Sequence, residues 1–253
     1  MDIILYPDAT IEKFPHLLKE KLTMNLIKNL HLSLLFCLIA TIACAQNKET
    51  RQLSPFSKIN VGQAIKVYVE KGDKESCIIE TDGMETSEVL TDVSGRSLKI
   101  RLDQDRRRRN IDVVVYLTYK EINGISISSA ASVYSKGTIK SDDMEIDISS
   151  AGSGQLDVNV DELEIKISSA GSLEIAGNAK YQDIDISSAG RLKAYDLACE
   201  EVSAAVSSAG SAKIQATNRI NAKANSGGKI RYKGQPDKTY VSANSGGSIS
   251  RVD

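Results

Sequence analysis

One four-residue phrase recurs seven times between residues 120 and 253: Ser128-Ser129-Ala130-Ala131, Ser149-Ser150-Ala151-Gly152, Ser168-Ser169-Ala170-Gly171, Ser187-Ser188-Ala189-Gly190, Ser207-Ser208-Ala209-Gly210, Asn225-Ser226-Gly227-Gly228 and Asn244-Ser245-Gly246-Gly247. Successive copies are 21, 19, 19, 20, 18 and 19 residues apart. Self-similarity at such a fixed period belongs to solenoids, in which each unit buries its apolar face only against its neighbours.

The flanks decide which solenoid. Directly before the phrase stand Ile127, Ile148, Ile167, Ile186, Val206, Ala224 and Ala243, and two residues earlier Ile125, Ile146, Ile165, Ile184, Ala204, Ala222 and Val241. Period-two alternation rich in β-branched residues is a strand with one buried face. A shorter alternation follows the phrase, as in Leu173/Ile175, Leu192/Ala194, Ala212/Ile214 and Ile230/Tyr232. Each repeat therefore supplies two short strands and a small-residue corner, with no room for a crossover helix. About 19 residues at about 3.3 Å each trace roughly 60 Å, one turn around a narrow core. The expected fold is all-β: a right-handed parallel β-helix of about 19-residue coils.

The corner chemistry suggests two roles. Gly at the fourth position (Gly152, Gly171, Gly190, Gly210, Gly228, Gly247) is expected to supply a positive φ. Ser at the second position has inward parity by simple alternation, and its hydroxyls are expected to form a ladder along the coils. The change from Ile to Ala and Gly predicts a core that narrows toward the C-terminus.

Residues 46–119 alternate without the phrase: Ile65–Val69, a turn at Lys71-Gly72-Asp73-Lys74, Cys77–Glu80, Leu98–Leu102 and Ile111–Leu117. These runs read as hairpins, a layer suited to capping the open first coil of residues 120–253 within one continuous domain. The Phe56-x-x-Ile59-x-Val61 start, the Ile122-Asn123-Gly124-Ile125 segment and the recurring phrases resemble the family described as putative auto-transporter adhesin, head GIN domain, from about Phe56 to Val252. The resemblance implies an exported β-helical domain of Gram-negative bacteria and brings no catalytic residues with it. No stretch of barrel-forming strands follows the last repeat, so self-translocation is not expected.

Residues 24–45 have the order of a secretory signal peptide: Lys28, an apolar run from Leu30 to Ala43, and Ala43-Cys44-Ala45. The run is short for a membrane span. Residues 1–23, upstream of a second Met, read as a mis-called start. A second reading of the leader is lipid attachment at Cys44, whose preceding Thr41-Ile42-Ala43 partly matches a lipobox. The destination is then the periplasm, the cell surface or the medium, with no transmembrane segment once the leader is removed.

Leader removal changes the chemistry available. Both histidines (His16 and His31) and two of the four cysteines go with it, leaving 208 residues with no His, no Trp, one Phe and the thiols Cys77 and Cys199. Serine–histidine, cysteine–histidine and imidazole–metal sites are thereby excluded. No phosphate loop, calcium repeat or Cys-x-x-Cys motif appears, so no cofactor or metal is expected. Cys77 and Cys199 are 122 residues apart, in regions expected to be distant, which favours two buried thiols over a disulfide. The leader takes four basic and four acidic residues out of 32 and 33, so the remainder stays balanced and points away from nucleic acid.

Three function classes remain. The first is a non-enzymatic surface-binding or adhesion module whose partner is a glycan or a cell-surface protein. Its candidate binding residues are the run Arg106, Arg107, Arg108 and Arg109, suited to anionic groups, and the outward column Asp147, Lys166 and Asp185. The second is an envelope scaffold, a homo-oligomer assembled end to end through the last coil. The third is a polysaccharide-cleaving β-helix using Asp142/Asp143, Asp147/Asp185 or Asp183/Asp185. Against it stand the absence of long loop insertions to wall a cleft and the lack of Trp platforms.

Overall fold

A computed structural model describes residues 47–103 and 111–252. Its strands in chain order are β1 (Asn47–Gln52), β2 (Lys58–Val61), β3 (Lys66–Lys71), β4 (Ser76–Asp82), β5 (Val89–Ser94), β6 (Ser97–Leu102), β7 (Asp112–Tyr119), β8 (Gly124–Ile127), β9 (Ser132–Ile148), β10 (Ser153–Ile167), β11 (Ser172–Ile186), β12 (Arg191–Val206), β13 (Ser211–Gln215), β14 (Arg219–Ala224), β15 (Lys229–Lys233), β16 (Lys238–Ala243) and β17 (Ser248–Arg251). The chain is an all-β solenoid. Segments before the phrase stack in parallel from β8 through the ends of β9, β10, β11 and β12 to β14 and β16, with register Ile125↔Ile146↔Ile165↔Ile184↔Ala204↔Ala222↔Val241. Segments after it stack through the starts of β9 to β12 into β13, β15 and β17.

The corners work differently from the expectation. Positive φ falls on the second and third positions, for instance Ser169 at 48° and Ala170 at 61°, and on Gly227 at 74° and Gly246 at 75° in the last two copies. Gly152, Gly171, Gly190, Gly210, Gly228 and Gly247 are glycine for a different reason, the lack of space for a side chain. A Cβ on Gly171 would lie 2.8 Å from the Ile148 carbonyl oxygen and 2.9 Å from Ile148 Cγ2. Two consecutive left-handed residues also reverse the parity, so the second-position serines face solvent and form no inward hydroxyl ladder. The ladder is backbone: the N–H of Ala151 donates to Ser169 O, that of Ala170 to Ser188 O, and that of Ala189 to Ser208 O, each at 3.0 Å.

Each coil also has a third inward-facing segment. In β10, Leu156, Val158 and Val160 point inward; Asp161 and Glu162 are both exposed, and inward alternation resumes at Leu163, Ile165 and Ile167. Two adjacent exposed residues shift the parity by one, which turns the chain a second time. The interior is sealed by Ile, Leu and Val, each fully buried side chain contributing about 1.5–3 kcal/mol of transfer free energy. The predicted narrowing is present: Ile148, Ile167 and Ile186 give way to Val206 and Ala224, all buried.

Pairing in the N-terminal part is less local than consecutive hairpins. β3 and β4, expected to pair across the Gly72 turn, are separated by β7, which runs parallel to β3 and antiparallel to β4. β6 pairs antiparallel with β5 and parallel with β2, rather than with β7. β2 and β3 themselves form a coil edge, pairing in parallel with β8 and β9. The corner between them, Gln63 at φ 59° and Ala64 at φ 58°, repeats the corner geometry without its sequence, and Ala64 N–H donates to Ser129 O at 2.9 Å. β1, with its partner β4, and β5 extend the two stacks in antiparallel sense. Arg51 ties this layer together, donating to both carboxylate oxygens of Glu49 at 2.8 Å, to Thr86 O at 2.9 Å and to Thr91 Oγ1 at 3.2 Å.

Candidate binding faces

The face built from the segments before the corners carries the predicted column. Asp147, Lys166 and Asp185 stand opposite one another on adjacent coils, all exposed. The ion pair made by Lys166 is with Glu164 on its own strand, and that hydrogen-bonded carboxylate keeps the ammonium above the ordinary lysine value. The next outward columns are strongly acidic: Glu145, Glu164 and Asp183 in one, Asp143 and Glu162 in the other. They border an open groove of about 740 Å³ together with Tyr181, Glu201 and Arg219. Lys58 reaches into it to pair with Glu145 at 2.9 Å, which holds that carboxyl below the usual range.

The face built from the segments after the corners differs. On β7, β3 and β9, Tyr116, Tyr68 and Tyr134 stack with centroids 5.5 and 5.1 Å apart, and Lys136 Nζ lies 4.8 Å from the Tyr116 ring centre. Tyr68 is sandwiched between the other two rings, so both of its faces are covered. The same column continues through Gln155 and Glu174 to Lys193, Lys213 and Arg231. Arg191 and Lys229 occupy the adjoining outward column. Sequence reading missed this basic area, although the alternation after each phrase already assigns these residues outward parity.

Arg106, Arg107, Arg108 and Arg109 lie outside the described residues, as do the leader of residues 24–45 and Cys44. Asp142, Asp143, Asp147, Asp183 and Asp185 are all exposed. Among the described residues no group of three or more His, Cys, Asp or Glu side chains is arranged to hold a metal, and no helix is long and apolar enough to cross a membrane. Cys77 and Cys199 are separate buried thiols, pushed by burial up to about 11 and about 12.

An apolar interior beneath long, regular, charge-patterned outer faces defines a β-solenoid. The chain belongs to the family described as putative auto-transporter adhesin, head GIN domain, whose model matches residues 55–236. It is similar in fold to a crystal structure of a putative adhesin from Bacteroides fragilis NCTC 9343, at TM-score 0.74 and 22% identity over 81% of this chain and 96% of that one. A putative adhesin from Parabacteroides merdae ATCC 43184 gives TM-score 0.67 and 21% identity over 81% and 95%. A protein from Parabacteroides distasonis ATCC 8503 described as a putative lipid binding protein gives 0.62 and 22% over 82% and 97%. No curated protein matches the chain.

Proposed function

We propose that the chain is an exported, non-enzymatic adhesion module that binds a glycan or a cell-surface protein through its outer faces. The observation that carries this reading is the parallel register, which repeats outward side chains at about 4.8 Å from coil to coil above a solid apolar interior. Such a surface offers many equivalent weak contacts that add along an extended partner. Family membership supports the surface role, and the signal-peptide order of residues 24–45 supports export to the periplasm, cell surface or medium. The test is a glycan array combined with whole-cell binding by the purified protein. Binding to a defined glycan or cell type is expected; cleavage of a polysaccharide, or no binding to any surface, overturns the reading.

A second reading, an end-to-end scaffold, draws on the last coil. β16 is exposed along its whole length, with Tyr240 and Val241 at 55% and 52% exposure. Such a strand is a template for pairing with another chain. Sedimentation across a concentration series decides: concentration-dependent growth supports assembly, and a monomer throughout removes it.

A further inference from the structure

We infer that the outer face of β12, β13 and β15 is an anionic-polysaccharide site; this rests on the adhesion reading and gives it a ligand class and a location. Arg191, Lys193, Lys213, Lys229, Arg231 and Lys233 lie on three neighbouring coils. Lys193, Lys213 and Arg231 are directly opposite one another in register, and so are Gln215 and Lys233. Like charges facing each other across strands about 4.8 Å apart destabilise a sheet. The fold asks nothing of these positions, because their side chains point outward while Leu192, Ala212 and Ile230 of the same strands fill the core. Of the six cations, only Lys193 has an ion-pair partner among the described residues, Glu174 at 3.2 Å.

Two of the ammonium groups are held in place in advance. Lys213 Nζ lies 5.8 Å and Lys233 Nζ 4.7 Å from the centre of the Tyr195 ring, so both side chains are positioned against one aromatic ring before a ligand arrives. Glu174 on β11 bounds the area on the side of the earlier coils, and Asp196 lies on β12 itself, three residues beyond Lys193. Cations then repeat at about 4.8 Å across the strands and about 7 Å along them. Among the described residues the six cations all stand on strands, and none lies on a helix or loop that could enter the groove of a duplex. The grid suits a single extended chain that repeats carboxylate, sulfate or phosphate groups, with the two guanidinium forks engaging anions in bidentate fashion.

The test titrates the purified full chain with labelled heparin, polygalacturonate, neutral dextran and duplex DNA at low and high salt. Binding to both acidic polysaccharides, weakened by salt and absent for dextran, is expected. K213Q/R231Q should weaken it by about tenfold or more, with a melting temperature unchanged or higher because two facing like charges are gone. Should that variant melt earlier, K193Q/K229Q reports on the same face. Undiminished binding by the face variants, or a preference for duplex DNA over both polysaccharides, overturns the inference. Cell or neutral-glycan binding without polyanion binding overturns it while leaving the adhesion reading in place; absence of all surface binding removes both.

Discussion

The corner geometry makes opposite predictions for neighbouring residues. Gly171→Ala places a methyl group 2.8 Å from the Ile148 carbonyl, 2.9 Å from Ile148 Cγ2 and 3.0 Å from the Ser168 carbonyl. That Ile148 carbonyl accepts the 2.9 Å hydrogen bond from Ser168 N–H that joins two coils. Overpacking against backbone costs about 1–3 kcal/mol, and a weakened buried hydrogen bond adds up to about 1 kcal/mol, for a loss of about 1–4 kcal/mol, centred on about 2. Ala170→Gly acts in the other direction. At φ 61° an alanine is strained by about 1–2 kcal/mol, and the added freedom of the unfolded glycine takes back about 0.5–1 kcal/mol. The net is between neutral and about 1.5 kcal/mol of stabilisation. Gly227 and Gly246 already occupy the equivalent place in the last two corners. Urea unfolding followed by circular dichroism measures both: at a slope near 2 kcal/mol/M, Gly171→Ala lowers the midpoint by about 1 M and Ala170→Gly leaves it level or higher. A neutral Gly171→Ala, or an Ala170→Gly as damaging as its neighbour, would refute the assignment of strain to the third position and of crowding to the fourth.

Gln182 is 3% exposed between Leu163 and Val202 in the apolar stack, and its Nε2 has no hydrogen-bond partner among the described residues. Gln182→Leu should raise stability by about 1–3 kcal/mol; a lower melting temperature would show that the amide is satisfied after all. The buried thiols Cys77 and Cys199, pushed up to about 11 and about 12, are protonated at pH 8. Mass spectrometry should find both unmodified by iodoacetamide in the folded protein and fully alkylated in urea, and rapid native labelling of either contradicts its burial. Glu49, held down to about 2 chiefly by the Arg51 hydrogen bonds and then by Thr86, is lowered in the folded state, so its contribution is present above about pH 4.5 and is lost as pH falls toward 2. With its side chain 39% exposed the contribution is about 1 kcal/mol, and Glu49→Gln should flatten the acid limb of a stability-versus-pH curve by that amount.

The repeats were readable because inward residues recur in register. Ile146, Ile165 and Ile184 announce their own stacking, and with it the fold class. The third inward segment was concealed by its variability: its stacked positions are Ile139, Val158, Gly177 and Leu197, where no single residue type repeats. The N-terminal pairings were hidden for another reason. Parallel contacts such as Val67↔Val115 and Ile59↔Leu98 join residues far apart in sequence, and no turn motif encodes them. The corner residues were recognised, yet their roles were exchanged, because glycine is the default for positive φ and the sequence contains no record of where a Cβ lacks room. Gln63-Ala64 shows the converse, a corner with the geometry but without the phrase.

A formal net charge of −1 implies no long-range attraction to a polyanion, and by itself it argues against one. The fold removes the force of that inference by sorting the charges. Each coil sends its strand before the corner to one face and its strand after the corner to another. Asp143, Glu145, Glu162, Glu164 and Asp183 therefore collect on the first, and Arg191, Lys193, Lys213, Lys229 and Arg231 on the second. Within a Debye length of about 8 Å at physiological salt, a partner lying on one face responds to that face and not to the sum. A solenoid of near-zero net charge can thus attract an anionic polymer on one side and repel it on the other, so the inferred site predicts an orientation of binding as well as a location.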